Sequence, residues 1–230
     1  MPQHIGIVAC SAPGAALCYE TICNEGGDHP EVSMHNHSLA KYMRCIDRDD
    51  WDGVGDLMLD SAEKLAQIGA DFLICPDNTI HQAFDYVAAR SPLPWLHIAD
   101  AVLEDAKARG FHRVGLTGTR WLVNGPVYPP SMVRPTLEER EEINRIIFEE
   151  LVHGAFKPEA VAYFRRVIER MKDNGCDAVA LCCTEIPLLM NDANSPLPTL
   201  DSTRLLARAA LRRATESARP DRETPSASVR

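Results

Sequence analysis

No CxxC pair, no cluster of Lys or Arg and no apolar stretch near the roughly 18 residues of a membrane span occurs in this chain. The first absence argues against a zinc ribbon or a thiol–disulfide motif. The second leaves nothing to hold a phosphate backbone or an anionic lipid surface. The third leaves no transmembrane candidate. No GxSxG elbow or Walker sequence is present, and Gly115-Leu116-Thr117-Gly118 lacks the third glycine of a dinucleotide fingerprint. Ile5 to Cys18 has the length of a signal-peptide core, but no basic region precedes it and Pro13-Gly14 interrupts it. A cytoplasmic protein with reduced thiols is the expectation.

What is present fits one sizeable α/β domain or two half-size lobes: 230 residues, 45% hydrophobic and 25% charged. The 24 Lys+Arg against 33 Asp+Glu leave a net charge of −9. Eight cysteines (10, 18, 23, 45, 75, 176, 182 and 183) have no evident purpose in a chain long enough to fold without disulfides.

Short apolar runs alternate with helical patterns. Strands are expected at Ile5–Ala9, Val32–His35, Phe72–Cys75, Trp95–Ile98, Arg113–Thr117, Ala178–Leu181 and Thr199–Asp201. Helices are expected at Trp51–Ile68, Asp100–Arg109, Thr136 to Gly154, Glu159–Lys172 and Ser202–Ala214, with a capping box at Thr136 and Glu139. That alternation predicts parallel βαβ units with ligands at the strand carboxyl ends. Residues 215–230 are rich in Ser, Pro and Arg and read as a flexible tail.

An internal repeat sharpens the architecture. Gly69-Ala70-Asp71-Phe72-Leu73-Ile74-Cys75-Pro76-Asp77-Asn78-Thr79-Ile80 aligns without a gap on Gly175-Cys176-Asp177-Ala178-Val179-Ala180-Leu181-Cys182-Cys183-Thr184-Glu185-Ile186, an offset of 106 (175 − 69). Ser91-Pro92-Leu93-Pro94-Trp95-Leu96 answers Ser195-Pro196-Leu197-Pro198-Thr199-Leu200 at an offset of 104 (195 − 91). Two copies of one α/β unit are expected, with a site in the cleft between them. Residues 1–98 would form the first lobe, joined by the helix at 202–214, and residues 99–201 the second. The offset pairs Asp77 with Cys183, each where a strand feeds a helix. A thiol in that position should have a lowered pKa. Thr79 with Gln82 also reads as an ordinary capping box, and Cys183 alone as a core thiol.

At these residues the chain resembles the aspartate/glutamate racemase superfamily. Asp77-Asn78-Thr79-Ile80-His81 and Cys183-Thr184-Glu185-Ile186 look like its paired signatures, and Gly118-Thr119-Arg120 and Phe148-Glu149-Glu150-Leu151 extend the likeness. The resemblance implies two pseudo-symmetric α/β lobes, each with a parallel four-stranded sheet flanked by helices. It implies catalysis without pyridoxal phosphate or metal, and a homodimer. It also implies inversion of an α-carbon by one group removing a proton while another supplies one from the opposite face. Carried over, Cys183 and Asp77 are the acid/base pair, with Ser11, Asn78, Thr79, Thr119, Thr184 and Glu185 as substrate contacts. His81 stands behind Asp77, or alternatively only on a helix face.

Three departures qualify the match. Asp77 stands where the family usually has its first cysteine, and Cys75 lies two residues too early to replace it. Phe148 and Val152 occupy the places where some aspartate-specific members carry Tyr and Lys; Arg44, Arg48, Arg120 and His153 could anchor a distal carboxylate instead, but each reads first as a solvated surface residue. The stretch from Trp121 to Pro135 is short, which suggests a trimmed second lobe. The expected substrate is a small carboxylate, an acidic amino acid by resemblance. A decarboxylase similar to the single-cysteine arylmalonate decarboxylases, or a non-catalytic carboxylate binder, are the rivals. His35-Asn36-His37 suggests a metal pair, but zinc prefers four spaced ligands and alternate strand residues face opposite ways; no metal is expected.

Overall fold

The computed structural model describes residues 2–216. Two parallel sheets form the frame. The first has order β2-β1-β3-β4, from β1 (Ile5–Ala9), β2 (Val32–Asn36), β3 (Phe72–Ile74) and β4 (Trp95–Leu96). The second has order β5-β6-β7, from β5 (Val114–Thr117), β6 (Ala178–Leu181) and β7 (Thr199–Asp201). Parallel strands are buried on both faces, and their side chains alternate between two cores. In β1 and β3, Ile5, Ile7, Phe72 and Ile74 face one core while Val8 and Leu73 face the other. In β6, Val179 and Leu181 face one side and Ala178 and Ala180 the other.

The repeat is visible as repeated hydrogen bonding. Gly69 and Gly175 both close a helix with positive φ, 93° and 86°, a conformation that glycine adopts without a Cβ penalty. Leu73 N–H donates to Pro94 O, and Val179 N–H to Pro198 O, both at 2.9 Å. Ser91 and Ser195 each donate to the carbonyl two residues on, Leu93 at 2.8 Å and Leu197 at 2.7 Å.

Four strands per lobe were expected, and the second lobe corrects this. In place of a fourth strand, Val133 makes a single bridge to Gly115. Val133 N–H donates to Val114 O at 2.9 Å, and Leu116 N–H donates to Val133 O at 2.8 Å. The segment holds Pro126, Pro129, Pro130 and Pro135, and residues without an N–H cannot extend a ladder.

The helices are α1 (Ala12–Glu25), α2 (Leu39–Ile46), α3 (Trp51–Gln67), α4 (Phe84–Ala88), α5 (Ile98–Ala108), α6 (Arg120–Asn124), α7 (Leu137–Glu149), α8 (Pro158–Asp173), α9 (Ile186–Leu189) and α10 (Ser202–Glu216). Four of the expected helices form within two residues of their bounds, the one expected from Thr136 to Gly154 ends at Glu149 and passes into a 3₁₀ turn at Leu151–His153, and α2, α4, α6 and α9 were not among those expected. Pro13 does not break α1. It lies in the first turn, where its missing N–H has no intrahelical acceptor anyway. The capping box at Thr136 and Glu139 is present in both directions. Helix α10 returns to α1, where Leu206, Ala207, Ala210 and Ala214 share a core with Ile5, Cys18 and Ile22. Arg208 there makes a bidentate pair with Glu25 at 2.7 and 2.8 Å. The tail expected at 215–230 begins as the end of this helix, and 217–230 lie outside the described residues. No helix of the described residues is long and apolar enough to cross a membrane.

Candidate active site

Both repeat signatures end at one pocket between the sheets, with about 510 Å³ of empty space when the solvent at its open mouth is included. Cys10, Ser11, Asp77, Asn78 and Thr79 reach it from the first lobe, and Thr119, Cys182, Cys183, Thr184 and Glu185 from the second. Every residue expected to touch substrate is therefore at this pocket, while His81 is not.

Two hydroxyl pairs tie the lobes together at its floor. Ser11, the N-cap of α1, lies 3.1 Å from Thr184 Oγ1. Thr119, the N-cap of α6, lies 2.9 Å from Thr79 Oγ1. The first contact requires glycine at position 14, because a Cβ there would stand 2.5 Å from Thr184 Cγ2. The expected capping box of Thr79 and Gln82 does not form. Thr79 reaches across to Thr119, Gln82 Nε2 donates to Trp121 O, and the Ile80 N–H is taken by Asp77 Oδ1 at 3.2 Å. Asn78 is tied on both sides: Nδ2 donates to Ser202 Oγ at 2.9 Å and Oδ1 accepts from Tyr128 at 2.8 Å.

Cys183 does not have the lowered pKa expected of it. Its thiol donates to Glu185 Oε2 at 3.0 Å, and Thr184 Oγ1 donates to the same oxygen at 2.8 Å. Burial first, then the Glu185 carboxylate, pushes the Cys183 thiol well above its ordinary value. The expectation assumed a helix dipole. The two signatures lead instead into a 3₁₀ turn at Thr79–Ala83 and the single turn of α9, too short to offset a facing carboxylate. Asp77 moves the same way for a related reason: burial, with Glu185 adding to it, raises its carboxyl from 3.8 to about 6. At neutral pH the pocket thus holds an ionised Asp77 and a protonated Cys183.

His81 acts behind the pocket. Its Nδ1–H donates to Asp77 O at 2.6 Å and its Nε2 accepts from Ile98 N–H at 3.4 Å, so a neutral ring joins the Asp77 backbone to the start of α5. Burial, with His97 adjacent, lowers its pKa to about 3 and keeps it in that form.

No part in the site was expected of Cys10 and Cys182; both are buried, and both line the pocket. Burial and the neighbouring Asp77 carboxylate hold the Cys10 thiol well above its usual range. Its place directly after β1 was the available signal. Cys75, expected in the strand, lies one residue past the end of β3; it is buried and does not line the pocket.

The rest of the lining is apolar. Leu39, Met43 and Ile46 come from α2, at a spacing that puts them on one helix face. Trp121, Ile147, Phe148 and Val152 face them from the second lobe. Arg44, Arg48, Arg120 and His153 are all exposed, and none lines the pocket. His35, in β2, and His37, one residue past its end, come together as residues two apart in an extended chain do, so the expectation that they would face opposite ways fails. Their ring centroids are 4.9 Å apart, and with Asp60 they bring possible ligand atoms within 4.8 Å of one another. Lys64 already pairs with Asp60, and none of the three lines the pocket.

Like topology on two sides and titratable side chains from both at the boundary define a two-lobed α/β enzyme. The chain belongs to the Asp/Glu/hydantoin racemase family, whose model matches residues 18–210. It is an isomerase of the racemase type. It is 22% identical over 188 residues to the broad specificity amino-acid racemase RacX of Bacillus subtilis, covering 79% of this chain and 80% of RacX. The structure of an aspartate racemase homologue from Pyrococcus horikoshii superposes with a TM-score of 0.80 at 27% identity, over 93% of this chain and 99% of that one. The aspartate racemase of Picrophilus torridus shares the fold, with a TM-score of 0.75 at 19% identity over 93% and 94% of the two chains.

Proposed function

We propose that the pocket inverts the α-carbon of a small amino acid by two-base proton transfer between Asp77 and Cys183. The observation that carries this reading is that these residues, equivalent in the two repeats, enter one pocket from opposite lobes. Substrate lying between them presents one face of its α-carbon to each.

The protonation states at rest assign the first direction. Ionised Asp77 takes the α-proton from one face while the Cys183 thiol delivers a proton to the other. The enzyme is then left with a protonated Asp77 and a thiolate, the form that accepts the opposite enantiomer. An α-ammonium group of the substrate offsets Asp77 and Glu185 and makes that thiolate accessible. Thr119 and the remaining amide hydrogen of Asn78 hold the α-carboxylate, joined by Ser11 and Thr184 as the substrate's ammonium displaces their hydroxyl hydrogens from Glu185, with Thr79 orienting Thr119. Glu185 holds the Cys183 thiol and faces the ammonium group. In this reading residues 1–98 with 202–214 form one working half and 99–201 the other. The protein acts in the cytoplasm as a homodimer.

The test is optical. Purified protein should equilibrate both enantiomers of a substrate, and Cys183→Ser and Asp77→Asn should each lose at least about a hundredfold in both directions, as is usual for loss of a proton-transfer group. Release of CO₂ without inversion would instead support the decarboxylase, and ligand-induced melting shifts without proton exchange the binding protein.

A further inference from the structure

We infer that the substrate's side chain is apolar, and that Trp121, Phe148 and Val152 face Leu39 and Met43 to form its subsite. This deepens the racemase reading and rests on it for the placement of the α-carbon.

The charges of the pocket argue first. Two carboxylates, Asp77 and Glu185, line it, and among the described residues neither Lys nor Arg does. The substrate's α-ammonium can offset one of those charges and hydroxyl and amide donors meet its α-carboxylate, whereas a second carboxylate would be brought in with no cation to meet it. A carboxylate buried without a partner carries a heavy desolvation penalty. Arg120, next in sequence to two residues of the lining, is exposed and lies over the Trp121 ring, 4.5 Å from its centroid.

Shape argues second. Trp121 and Phe148 meet edge to face, with centroids 5.7 Å apart at 84°, which fixes both rings as a rigid wall. Helix α2 supplies the opposite wall with Leu39 and Met43 on one face. Apolar walls discriminate by contact, and each added methylene that fills such a space is worth on the order of tenfold in specificity.

The experiment uses the full-length protein in two independent readouts. Racemisation of leucine and phenylalanine is compared with that of aspartate and glutamate by circular dichroism. Separately, the melting temperature of the full-length Cys183→Ser variant is followed with leucine and with glutamate, which carry the α-ammonium that the two carboxylates call for and need no turnover. The expected result is at least a tenfold higher kcat/KM for the apolar pair, and a melting shift with leucine at concentrations where glutamate gives none. Val152→Lys, at a partly exposed position, should move the kcat/KM ratio at least tenfold towards the acidic pair. Preference for aspartate or glutamate, or an equal or larger shift with glutamate, overturns the inference and leaves the racemase reading standing. A melting shift with neither amino acid also counts against it. Selective binding of leucine with no turnover of any amino acid by the wild type supports the inference and defeats the racemase reading instead.

Discussion

Replacing Asp77 with Asn removes a charge that the fold disfavours, yet keeps the oxygen that accepts the Ile80 N–H. Burial and Glu185 raise the Asp77 carboxyl from 3.8 to about 6. At about 1.4 kcal/mol per tenfold change in affinity for a proton, the native state disfavours this anion by about 3 kcal/mol at neutral pH. That figure is a ceiling, because Asp77 keeps some contact with solvent. The folded value lies above the unfolded one, so the native state binds more protons between about pH 4 and 6. Wild-type stability therefore rises as pH falls through this window, and the penalty is complete above it. Asp77→Asn should unfold at higher urea than wild type at pH 7.5, by about 1 to 3 kcal/mol, with the advantage gone by pH 4. Paired urea melts at pH 7.5, 6, 5 and 4 measure this. A variant less stable than wild type by the same amount at every pH would refute the electrostatic argument.

The same titration predicts that racemisation falls on the acid side with an apparent pKa near 6, as Asp77 takes up its proton; a flat initial-rate profile from pH 5 to 8 would remove it as the base. Asp77→Cys should retain measurable racemisation while that limb moves to higher pH, since an ordinary thiol ionises near ~8.5. Glu185→Gln removes the carboxylate that keeps Cys183 protonated, so pH-dependent alkylation of Cys183 should shift to lower pH; no shift, or the reverse, would contradict the assigned cause. Gly14→Ala forces a Cβ against Thr184 and should cost roughly 1–3 kcal/mol in urea denaturation, and wild-type stability would show that the two lobes separate there freely.

Much of the frame was legible because local rules set it. Gly69 and Gly175 end helices, Ser91 and Ser195 close identical turns, and the strands between them are short apolar runs, so the repeat in letters is a repeat in hydrogen bonds. The convergence of Ser11, Asp77, Asn78, Thr79, Thr119, Cys183, Thr184 and Glu185 followed from that register once the family resemblance was added. What was not legible depends on partners distant in sequence, or on a side chain that folds back. Burial, and then Glu185 turning onto it, reverses the direction of the Cys183 pKa, which no spacing rule predicts. Thr79 leaves its own turn for Thr119 in the other lobe. Helix α2 was missed because it spans only eight residues, although its apolar face is well marked and forms one wall of the pocket. The second sheet fell short of four strands because prolines interrupt the segment that would have supplied the last one.

The central claim is that protons are removed and delivered by different groups on opposite faces, and the most direct measurement is initial-rate proton NMR in D₂O from each pure enantiomer. Two-base transfer by Asp77 and Cys183 predicts that the inverted product carries deuterium at the α-carbon from the first turnovers, in both directions, while the remaining substrate keeps its original hydrogen. Product that retains the substrate's hydrogen, or substrate that exchanges without inverting, would contradict the account.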